Sequence, residues 1–392
     1  MGDVMQGEDR EFDLSTETIE STPPGVIVDL LAQADVRLNG DRPWDIQVLD
    51  ERLYRKVLSS GSLGFGEAYM DRYWEAHDLS GLITRLLRAR LDEKPLGKAR
   101  FFLLLHYLRA RLFNLQSQAR AFDVGKRHYD IGNDLYARML DSNWCYSCGY
   151  WAEAEDLEAA QQAKLELICR KLKLEPGMSV LDVGCGWGSL SAYMARHYGV
   201  RVHAITISRE QAVLARERCD GLPVEIELVD YRDVRGEYDR VVSVGMFEHV
   251  GHKNYATYFS SLAQCLKPDG LFLLHTIGTD SEGVGVDPWI DRYIFPNGEL
   301  PSLPRLMAAV KPCFHVEDLH NFGPDYDRTL MAWWDNFQQA WPELSAHYDQ
   351  RFYRMWRYYL MSCAGFFRAR RGQLWQLVLT PLENQQVYRS VR

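Results

Sequence analysis

Between residues 157 and 280, short apolar runs alternate with helical stretches, and this alternation constrains the fold most. The apolar runs are MSVLDVG, VRVHAITIS, VEIELVD, YDRVVSVGMF and LFLLHTIG, and helical segments separate most of them. Strands that alternate with helices at this spacing indicate βαβ units and a parallel sheet. Two aromatic-rich helices and a last strand, LWQLVLTP, follow. The sequence therefore predicts an α/β, Rossmann-like fold.

The first of these strands leads into a glycine-rich turn, VLDVGCGWGSL, which predicts a cofactor site. Gly184, Gly186 and Gly188 allow a tight turn and a close approach to a ligand. A dinucleotide-binding turn needs a glycine in place of Ser189 and an acidic residue about 20 positions later, which HAITIS lacks. Asp182 is instead typical of S-adenosylmethionine enzymes, whose cofactor brings an ammonium group that needs carbonyl or carboxylate partners. The turn favours a methyl donor over a nicotinamide.

Four residues after the next two strands are further candidates for this cofactor. Ser208 and Gln211 fit an S-x-x-Q capping box, so they either contact the cofactor or only cap a helix. Asp230 and Tyr231 follow the third strand, where an adenine would lie, although both could be loop residues. The residues alone leave these alternatives open.

The segment VVSVGMFEHVGHKNY begins as a strand buried on both faces and ends on two titratable side chains, Glu248 and His249. The ends of strands are where α/β folds place ligand-binding groups. Glu248 therefore either takes part in chemistry or caps the helix expected to begin near His252. We expect His249 to orient a neighbour or to pack.

The net charge of −9 excludes a general role in nucleic-acid binding, because phosphates attract cations. The charge is uneven, however, since residues 85–127 contain eleven Lys or Arg against three Asp or Glu. Arg351, Arg354 and Arg357 recur at helical spacing among aromatic residues. Such segments suit an anionic membrane surface, or they form solvated helix faces over an ordinary core.

No apolar run approaches the roughly 20 residues that a membrane span needs. The acidic N-terminus has no apolar core and is not expected to be a signal peptide, so we expect a cytoplasmic protein. The eight cysteines are scattered, and CYSC at 145–148 has no second pair at metal-ligand spacing. We therefore expect reduced thiols and no metal site.

Composition predicts four segments. These are a disordered acidic lead (1–22), a small α+β N-terminal domain that faces lipid (23–90), a linker (91–100) and a catalytic domain (101–392). The linker prediction rests on Pro, Gly and mixed charge in LDEKPLGKAR. No composition break is visible beyond it.

Many segments, in one order, resemble the cyclopropane-fatty-acyl-phospholipid synthases from about residue 24 to about residue 380. They include GSLGFGEAYMDRYW, ARLFNLQS, HYDIGNDLYARMLD, YSCGYW, LDVGCGWG, TISREQ, VSVGMFEHVG, LLHTIG, DPWIDRYIFPNGELPS, HNFGPDYDRTLMAW and CAGFFRAR. The resemblance implies a class I methyltransferase sheet with helical insertions. It also implies a homodimer that binds the inner face of the cell membrane peripherally and reversibly.

The resemblance implies a reaction as well. The methyl group of S-adenosylmethionine is transferred to a cis double bond of a phospholipid acyl chain, and loss of a proton from the new methyl closes a cyclopropane ring. In this family a bound bicarbonate ion is understood to accept that proton. The nearest alternative is a related lipid methyltransferase with a methyl-branched product. A lipid-binding protein without catalysis is disfavoured, because it has no use for residues that hold an anion.

By resemblance, five residues hold the bicarbonate, and we call them the anion site: the side chains of Glu248, His275 and Tyr326 and backbone groups at Cys148 and Ile277. Three more residues in matching segments are implied in cofactor binding: Tyr146, Ser147 and Thr206.

Cys363 matches a cysteine of the family once favoured as a nucleophile. Because its surroundings are apolar, we expect it to line the lipid pocket without covalent chemistry. Seven aromatic residues could form an acyl tunnel or belong to an ordinary core: Tyr146, Trp187, Phe247, Trp289, Phe295, Trp333 and Trp334.

Overall fold

The computed structural model describes residues 23–94, 132–281 and 285–392. The predicted acidic lead, the predicted linker beyond Lys94 and most of the basic stretch 85–127 lie outside these residues. The predictions made for those segments therefore stay predictions.

The N-terminal unit, as far as it is described, is mainly helical. It contains α1 (Gly25–Gln33), β1 (Gln47–Val48), α2 (Arg52–Met70), β2 (Trp74–Glu75) and α3 (Leu79–Arg88). Strands β1 and β2 pair in antiparallel orientation. Helix α3 begins at Leu79 because the Asp78 carboxylate accepts a hydrogen bond of 2.8 Å from the Gly81 N–H.

The rest of the described chain is built on a seven-stranded sheet. Its strands are β3 (Ser179–Val183), β4 (Arg201–Thr206), β5 (Val224–Leu228), β6 (Tyr238–Val244), β7 (Leu266–Thr279), β8 (Phe314–Asn321) and β9 (Gly372–Pro381). Their order is β5–β4–β3–β6–β7–β9–β8. The first five are parallel, and β9 is antiparallel to both of its neighbours. The predicted α/β fold is confirmed.

Helices cover the sheet and connect its strands. They are α4 (Asn133–Met139), α5 (Leu157–Lys171), α6 (Ser189–Tyr198), α7 (Arg209–Arg218), α8 (Tyr255–Ala263), α9 (Pro288–Tyr293), α10 (Leu303–Val310), α11 (Pro324–Leu344) and α12 (Gln350–Arg368). Helix α8 ends at Ala263, and β7 begins at Leu266. Pro268 cannot continue a helix, since it has no N–H and its ring clashes with the preceding turn.

The three arginines at helical spacing on α12 contact the N-terminal unit. Arg354 pairs with Glu75 at 2.6 Å, and Arg357 pairs with the same carboxylate at 3.0 Å. Arg351 pairs with Asp71 at 3.1 Å. Ion pairs within the protein thus engage all three arginines, and of the three only Arg351 keeps about half of its side chain exposed. The solvated-face interpretation therefore fits Arg351 alone, and the membrane-surface interpretation stays a prediction.

The same helix completes one hydrophobic core with the N-terminal unit. Tyr358 lies between the rings of Tyr69 and Trp289, with centroid distances of 5.6 and 4.6 Å. Helix α3 approaches so closely that a Cβ on Gly365 would lie 2.8 Å from the Ile83 side chain. The two parts thus share buried contacts as well as ion pairs.

Within the described ranges, no helix is both long enough and apolar enough to cross a bilayer. The same residues include no group of three or more His, Cys, Asp or Glu that could hold a metal ion. All eight cysteines are free thiols.

Candidate active site

A cleft of about 210 Å³ opens at the carboxyl ends of the central parallel strands, where α/β folds bind ligands. We call it the cofactor cleft. Most of the predicted cofactor residues line it: Tyr146, Ser147, Asp182, Gly184, Gly186, Thr206, Ser208, Gln211, Asp230 and Tyr231. The sheet thus brings together residues from four strand ends and from the loop before α5.

Gly188 is the exception, because it does not line the cofactor cleft. Its φ of 80° lies in the left-handed region, at the residue before α6. A Cβ there would lie 3.1 Å from the Cys219 sulfur and 3.2 Å from the Ala215 Cβ of α7. The third glycine of the turn therefore allows two helices to pack, and its part in cofactor binding stays a prediction.

The end of β3 fits an aminoacyl cofactor. Asp182 is buried, and its carboxylate accepts a hydrogen bond of 2.6 Å from the Ser191 hydroxyl. Burial raises the pKa of Asp182 to about 6, although the Ser191 bond opposes the shift. Gly184 has a φ of 88°, and a Cβ there would lie 2.7 Å from Met246. A buried carboxylate next to a backbone turn built from glycines, which have no side chains, suits a ligand that carries an ammonium group.

Ser208 and Gln211 cap a helix and also line the cofactor cleft, and their contact with the cofactor stays a prediction. The Ser208 hydroxyl accepts a hydrogen bond of 3.2 Å from the Gln211 N–H and caps α7. The Gln211 side-chain oxygen accepts from the Thr206 hydroxyl at 3.3 Å, which turns the amide toward the end of β4. The two residues thus cap the helix and line the cofactor cleft.

Asp230 and Tyr231 sit at the end of β5 in a turn. Asp230 is buried and accepts a hydrogen bond of 3.0 Å from the Arg232 N–H. The Tyr231 hydroxyl is buried, and no hydrogen-bond partner for it occurs in the described part of the chain. Both residues face the cofactor cleft and also stabilise their own loop.

Glu248 is buried, and the backbone N–H of Ile277 makes the strongest hydrogen bond to its carboxylate. Gly245, with a φ of 62°, turns the chain away from β6 into a short 3-10 turn over Phe247–His249. Glu248 Oε1 accepts a hydrogen bond of 2.7 Å from the Ile277 N–H, whereas Oε2 has no partner in the described ranges. Burial raises the pKa of Glu248 to about 7, against the effect of that bond. Glu248 Oε2 is therefore a buried acceptor without a hydrogen-bond partner in the described ranges.

The capping alternative for Glu248 is wrong. Helix α8 begins at Tyr255, and the residue before it, Asn254, makes no side-chain capping bond. The Glu248 carboxylate instead reaches across to β7. Its neighbour His249 lines the cofactor cleft, and burial lowers the pKa of His249 to about 4.

His275 presents the second unused polar atom. It precedes Ile277 by two residues on β7, so both side chains lie on one face of the sheet. The Gln376 amide donates to His275 Nδ1 at 3.2 Å, which leaves the ring proton on Nε2. That Nε2 is buried and finds no partner among the described residues. Burial holds the pKa of His275 well below its usual range, so the ring is a neutral donor.

Tyr326 and Cys148 complete the group. Tyr326 and Ile277 pack against the buried side chains of Cys148, Phe322 and Leu374. The pKa of the Tyr326 hydroxyl lies well above its ordinary value because of burial, with smaller contributions from Cys148 and Glu248. Tyr326 thus lies close enough to Glu248 and Cys148 for both to affect its pKa, and the His275 ring lies 5.8 Å from Phe322 of the same group. Ile277 differs in detail, since its N–H is donated to Glu248 and therefore positions that carboxylate.

Thr329 joins the Cys148 loop to the helix that carries Tyr326. Its hydroxyl accepts from the Gly149 N–H at 3.1 Å and from the Trp151 indole N–H at 2.8 Å. It donates to the Asp325 carbonyl at 2.9 Å. One fully buried hydroxyl therefore fixes the loop on α11, one turn from Tyr326.

Thr329→Val is expected to lower turnover at least about tenfold without changing cofactor affinity, because two buried donors lose their acceptor and the loop shifts relative to Tyr326. Thr329→Ser keeps the hydroxyl and should retain most of the activity. Steady-state rates and cofactor titrations of both variants test this. Wild-type activity in Thr329→Val would mean that the hydrogen bonds of the hydroxyl do not matter, and a loss confined to Thr329→Ser would assign the effect to the methyl group.

Cys363 lies half-buried on α12. Burial raises the pKa of its thiol to about 12, so the thiolate form is rare at neutral pH. This agrees with the expectation of a pocket-lining residue without covalent chemistry, which stays a prediction.

A continuous row of aromatic rings, which we call the aromatic wall, connects the cofactor cleft to the anion site. Trp333 lies 5.2 Å from Tyr146 and 6.1 Å from Tyr326, centroid to centroid. The Tyr146 and Tyr359 hydroxyls are 2.9 Å apart, and Phe295 packs against Tyr359 at 5.9 Å. Trp187 joins the wall through Tyr136.

The other three aromatic candidates pack elsewhere. Phe247 lies in the core between the sheet and α8. Trp289 faces the N-terminal unit, where a Cβ on Gly66 would lie 2.4 Å from its ring. Trp334 packs against Phe337 and Tyr353. Phe247 and Trp289 are core residues, and Trp334 is partly buried against the core. The tunnel interpretation stays a prediction.

Sequence reasoning missed three buried polar residues: Lys164, Thr329 and Gln376. Two of them carried a signal. Lys164 precedes Ile168 by one helical turn, on the apolar face of α5, and Gln376 interrupts the apolar run of β9. A polar residue at a position that the pattern assigns to the core marks a candidate site.

Glu248 makes stability depend on pH. Between its ordinary pKa of 4.5 and its folded value of about 7, the unfolded chain releases a proton that the folded protein keeps. Stability is therefore lost as pH rises through this window. Between pH 5 and pH 8 in bicarbonate-free buffer, we expect the wild type to lose roughly 2–3 kcal/mol more than Glu248→Gln. Urea unfolding of both proteins measures this, and parallel curves would contradict it.

The strand order, the glycine turn at the end of β3 and the buried Asp182 define an S-adenosylmethionine-dependent methyltransferase of class I. The family described as mycolic acid cyclopropane synthetase matches residues 116–377, and the chain belongs to it. The chain is 54% identical over 352 residues to the cyclopropane-fatty-acyl-phospholipid synthase of Escherichia coli K12, covering 90% of this chain and 92% of that protein.

Two further comparisons agree with this family. The chain is 33% identical over 355 residues to the tuberculostearic acid methyltransferase UfaA1 of Mycobacterium tuberculosis, covering 84% of this chain and 81% of that protein. The solved structure of the cyclopropane synthase MmaA2 from Mycobacterium tuberculosis superposes with a TM-score of 0.62 at 33% identity, covering 66% of this chain and 97% of that one. The protein is therefore an enzyme, a methyltransferase.

Proposed function

We propose that the protein forms cyclopropane rings on cis-unsaturated phospholipid acyl chains, with bound bicarbonate as the proton acceptor. The observation that carries this proposal is a pair of buried, unused polar atoms, Glu248 Oε2 and His275 Nε2. One accepts and the other donates, and bicarbonate needs both, because it has one O–H and several acceptor oxygens.

The anion-site residues have distinct roles in this proposal. The His275 Nε2–H and the Tyr326 hydroxyl donate to the anion, and Glu248 Oε2 accepts its O–H, which orients the ion and keeps it basic. The Ile277 N–H and the Gln376 amide hold Glu248 and His275 in those orientations. The buried setting strengthens each of these contacts.

S-adenosylmethionine, when bound, supplies the sulfonium methyl group for addition to the double bond. The chain's own residues hold its amino-acid end at Asp182 and its adenosine end near Asp230. The aromatic wall excludes water, which would trap a cation on the acyl chain, and its ring faces favour a positive charge nearby.

Mass spectrometry with methyl-deuterated S-adenosylmethionine tests the proposal. Purified protein is incubated with bicarbonate and vesicles of a cis-unsaturated phospholipid. Ring closure is expected to leave two of the three deuterium atoms in a product without an alkene. Retention of all three would identify a methyl-branching enzyme, whose product keeps an alkene because the proton is lost from the acyl chain and not from the new methyl group. Unlabelled lipid with cofactor still bound would indicate a lipid-binding protein.

We also propose that the substrate is reached in the bilayer, by peripheral contact at the inner face of the cell membrane. The basic stretch 85–127 and the N-terminal unit that overlaps its start are the proposed contact, because anionic lipids attract the basic side chains of that stretch. Vesicle sedimentation at rising salt tests this, and binding that is insensitive to salt would contradict it. A homodimer is proposed from the family resemblance, and analytical ultracentrifugation tests it.

A further inference from the structure

Lys164 is a buried cation without a matching anion in the described chain. Its side chain points from α5 into the protein with 2% of the residue exposed. The ammonium donates to the Ser147 hydroxyl at 2.8 Å, and no carboxylate of the described residues forms an ion pair with it. Burying an ammonium without a counter-charge is costly, so such groups are usually paired.

The other fully buried lysine of the same helix shows the usual arrangement. Lys171 lies two turns further along α5, with its Nζ 3.5 Å from the Asp318 carboxylate and 3.1 Å from His320 Nδ1. Lys171 therefore has partners within the fold. Lys164, in contrast, has no carboxylate partner among the described residues, so its charge is available to a ligand.

Lys164 lines the cofactor cleft together with Asp182, which is a buried carboxylate. The two charges do not pair with each other. An amino acid carries an ammonium and a carboxylate on one carbon, so the buried ammonium of Lys164 and the buried carboxylate of Asp182 in one cleft are complementary to it.

We infer that Lys164 is the counter-charge for the carboxylate of the cofactor's amino-acid end, opposite Asp182. The inference rests on S-adenosylmethionine as cofactor and not on bicarbonate or ring closure. The anion of the anion site has the same chemistry and is the alternative source. The charge of Lys164 also acts on the anion site, where it helps to lower the pKa of His275. The cofactor is favoured because Lys164 lines the cofactor cleft, whereas Glu248, His275 and Tyr326 do not.

Binding measurements with three ligands test the inference. Lys164→Met keeps the length of the side chain and removes the charge. It is expected to bind S-adenosylmethionine and S-adenosylhomocysteine about ten- to a hundredfold more weakly. Binding of the decarboxylated analogue of S-adenosylmethionine is expected to be unchanged. Tryptophan fluorescence reports binding without turnover, because Trp144 and Trp187 line the cofactor cleft.

Lys171→Met is the matched control, since it removes an equally buried ammonium from the same helix and should leave all three affinities unchanged. Circular dichroism shows that both variants are folded. Unchanged affinity of Lys164→Met for S-adenosylmethionine would overturn the inference, and so would an equal loss for the decarboxylated analogue. A higher bicarbonate requirement with unchanged cofactor affinity would assign Lys164 to the anion site instead. These affinities do not depend on ring closure, so they test the inference even if the proposed reaction is wrong.

Discussion

Replacing Glu248 by glutamine is expected to lower turnover by about 10²- to 10⁴-fold, the usual contribution of a positioned acid–base group. The amide oxygen can still accept the Ile277 N–H, which Glu248 Oε1 accepts at 2.7 Å. The other oxygen becomes an NH₂ group that donates where Oε2 accepts. Bicarbonate then loses the acceptor for its own O–H, while the shape of the site is kept. Cofactor affinity is expected to be unchanged.

Glu299→Gln is the matched control for this variant. Glu299 is also buried, and its N–H donates to the Glu248 carbonyl at 2.9 Å. Its carboxylate pairs with His252 at 2.9 Å, away from the unused atoms of the anion site. Its turnover should stay close to that of the wild type. If Glu248→Gln were as active as the wild type, Glu248 would have no part in proton transfer.

His275→Asn is expected to lower turnover by about 10²- to 10³-fold, as is usual when one preorganised donor to an anion is removed. Asparagine keeps a polar group near the position of Nδ1, where the Gln376 amide donates at 3.2 Å. It has nothing at the position of Nε2, so the anion loses a neutral donor. The apparent affinity for bicarbonate should fall along with the rate.

His275→Gln provides the comparison, because its terminal amide can donate from near the position of Nε2. It should retain more activity than His275→Asn, and its bicarbonate requirement should lie closer to that of the wild type. The wild-type rate should show no inflection from His275 near neutral pH, because burial holds its pKa well below the usual range. If His275→Gln were no more active than His275→Asn, a donor near the position of Nε2 would not be enough, and the shape of the imidazole ring would be required.

The fold could be predicted because each strand of the parallel sheet is a local apolar run. Strands β3 to β7 and the helices between them follow from such runs, from helix caps and from a glycine turn. The antiparallel direction of β9 could not be predicted, because nothing in LWQLVLTP encodes which neighbour it pairs with. The ion pairs of the three arginines on α12 could not be predicted either, because their partners Asp71 and Glu75 lie some 280 residues away in sequence.

Some residues of the candidate site could likewise be predicted from the sequence, and others could not. Asp182 and Glu248 could be found because each follows a strand that the pattern identifies. The partner of His275 could not be found, because Gln376 reaches it only through the pairing of β7 with β9. Lys164 could not be identified as a candidate, because helical periodicity indicates which face of α5 is buried but not whether a buried charge has a partner.

The buried contacts between the N-terminal unit and α12 limit how the two parts can be studied. Tyr69 and Trp289 pack around Tyr358, and Ile83 approaches Gly365, in a core that neither part completes alone. A chain cut after α3 would leave α12 with an uncovered apolar face and unpaired arginines. The two parts should therefore melt cooperatively, as one thermodynamic unit. A role of the N-terminal unit at the membrane must then be tested by reversing surface charges in the intact protein, because deletion would report on folding.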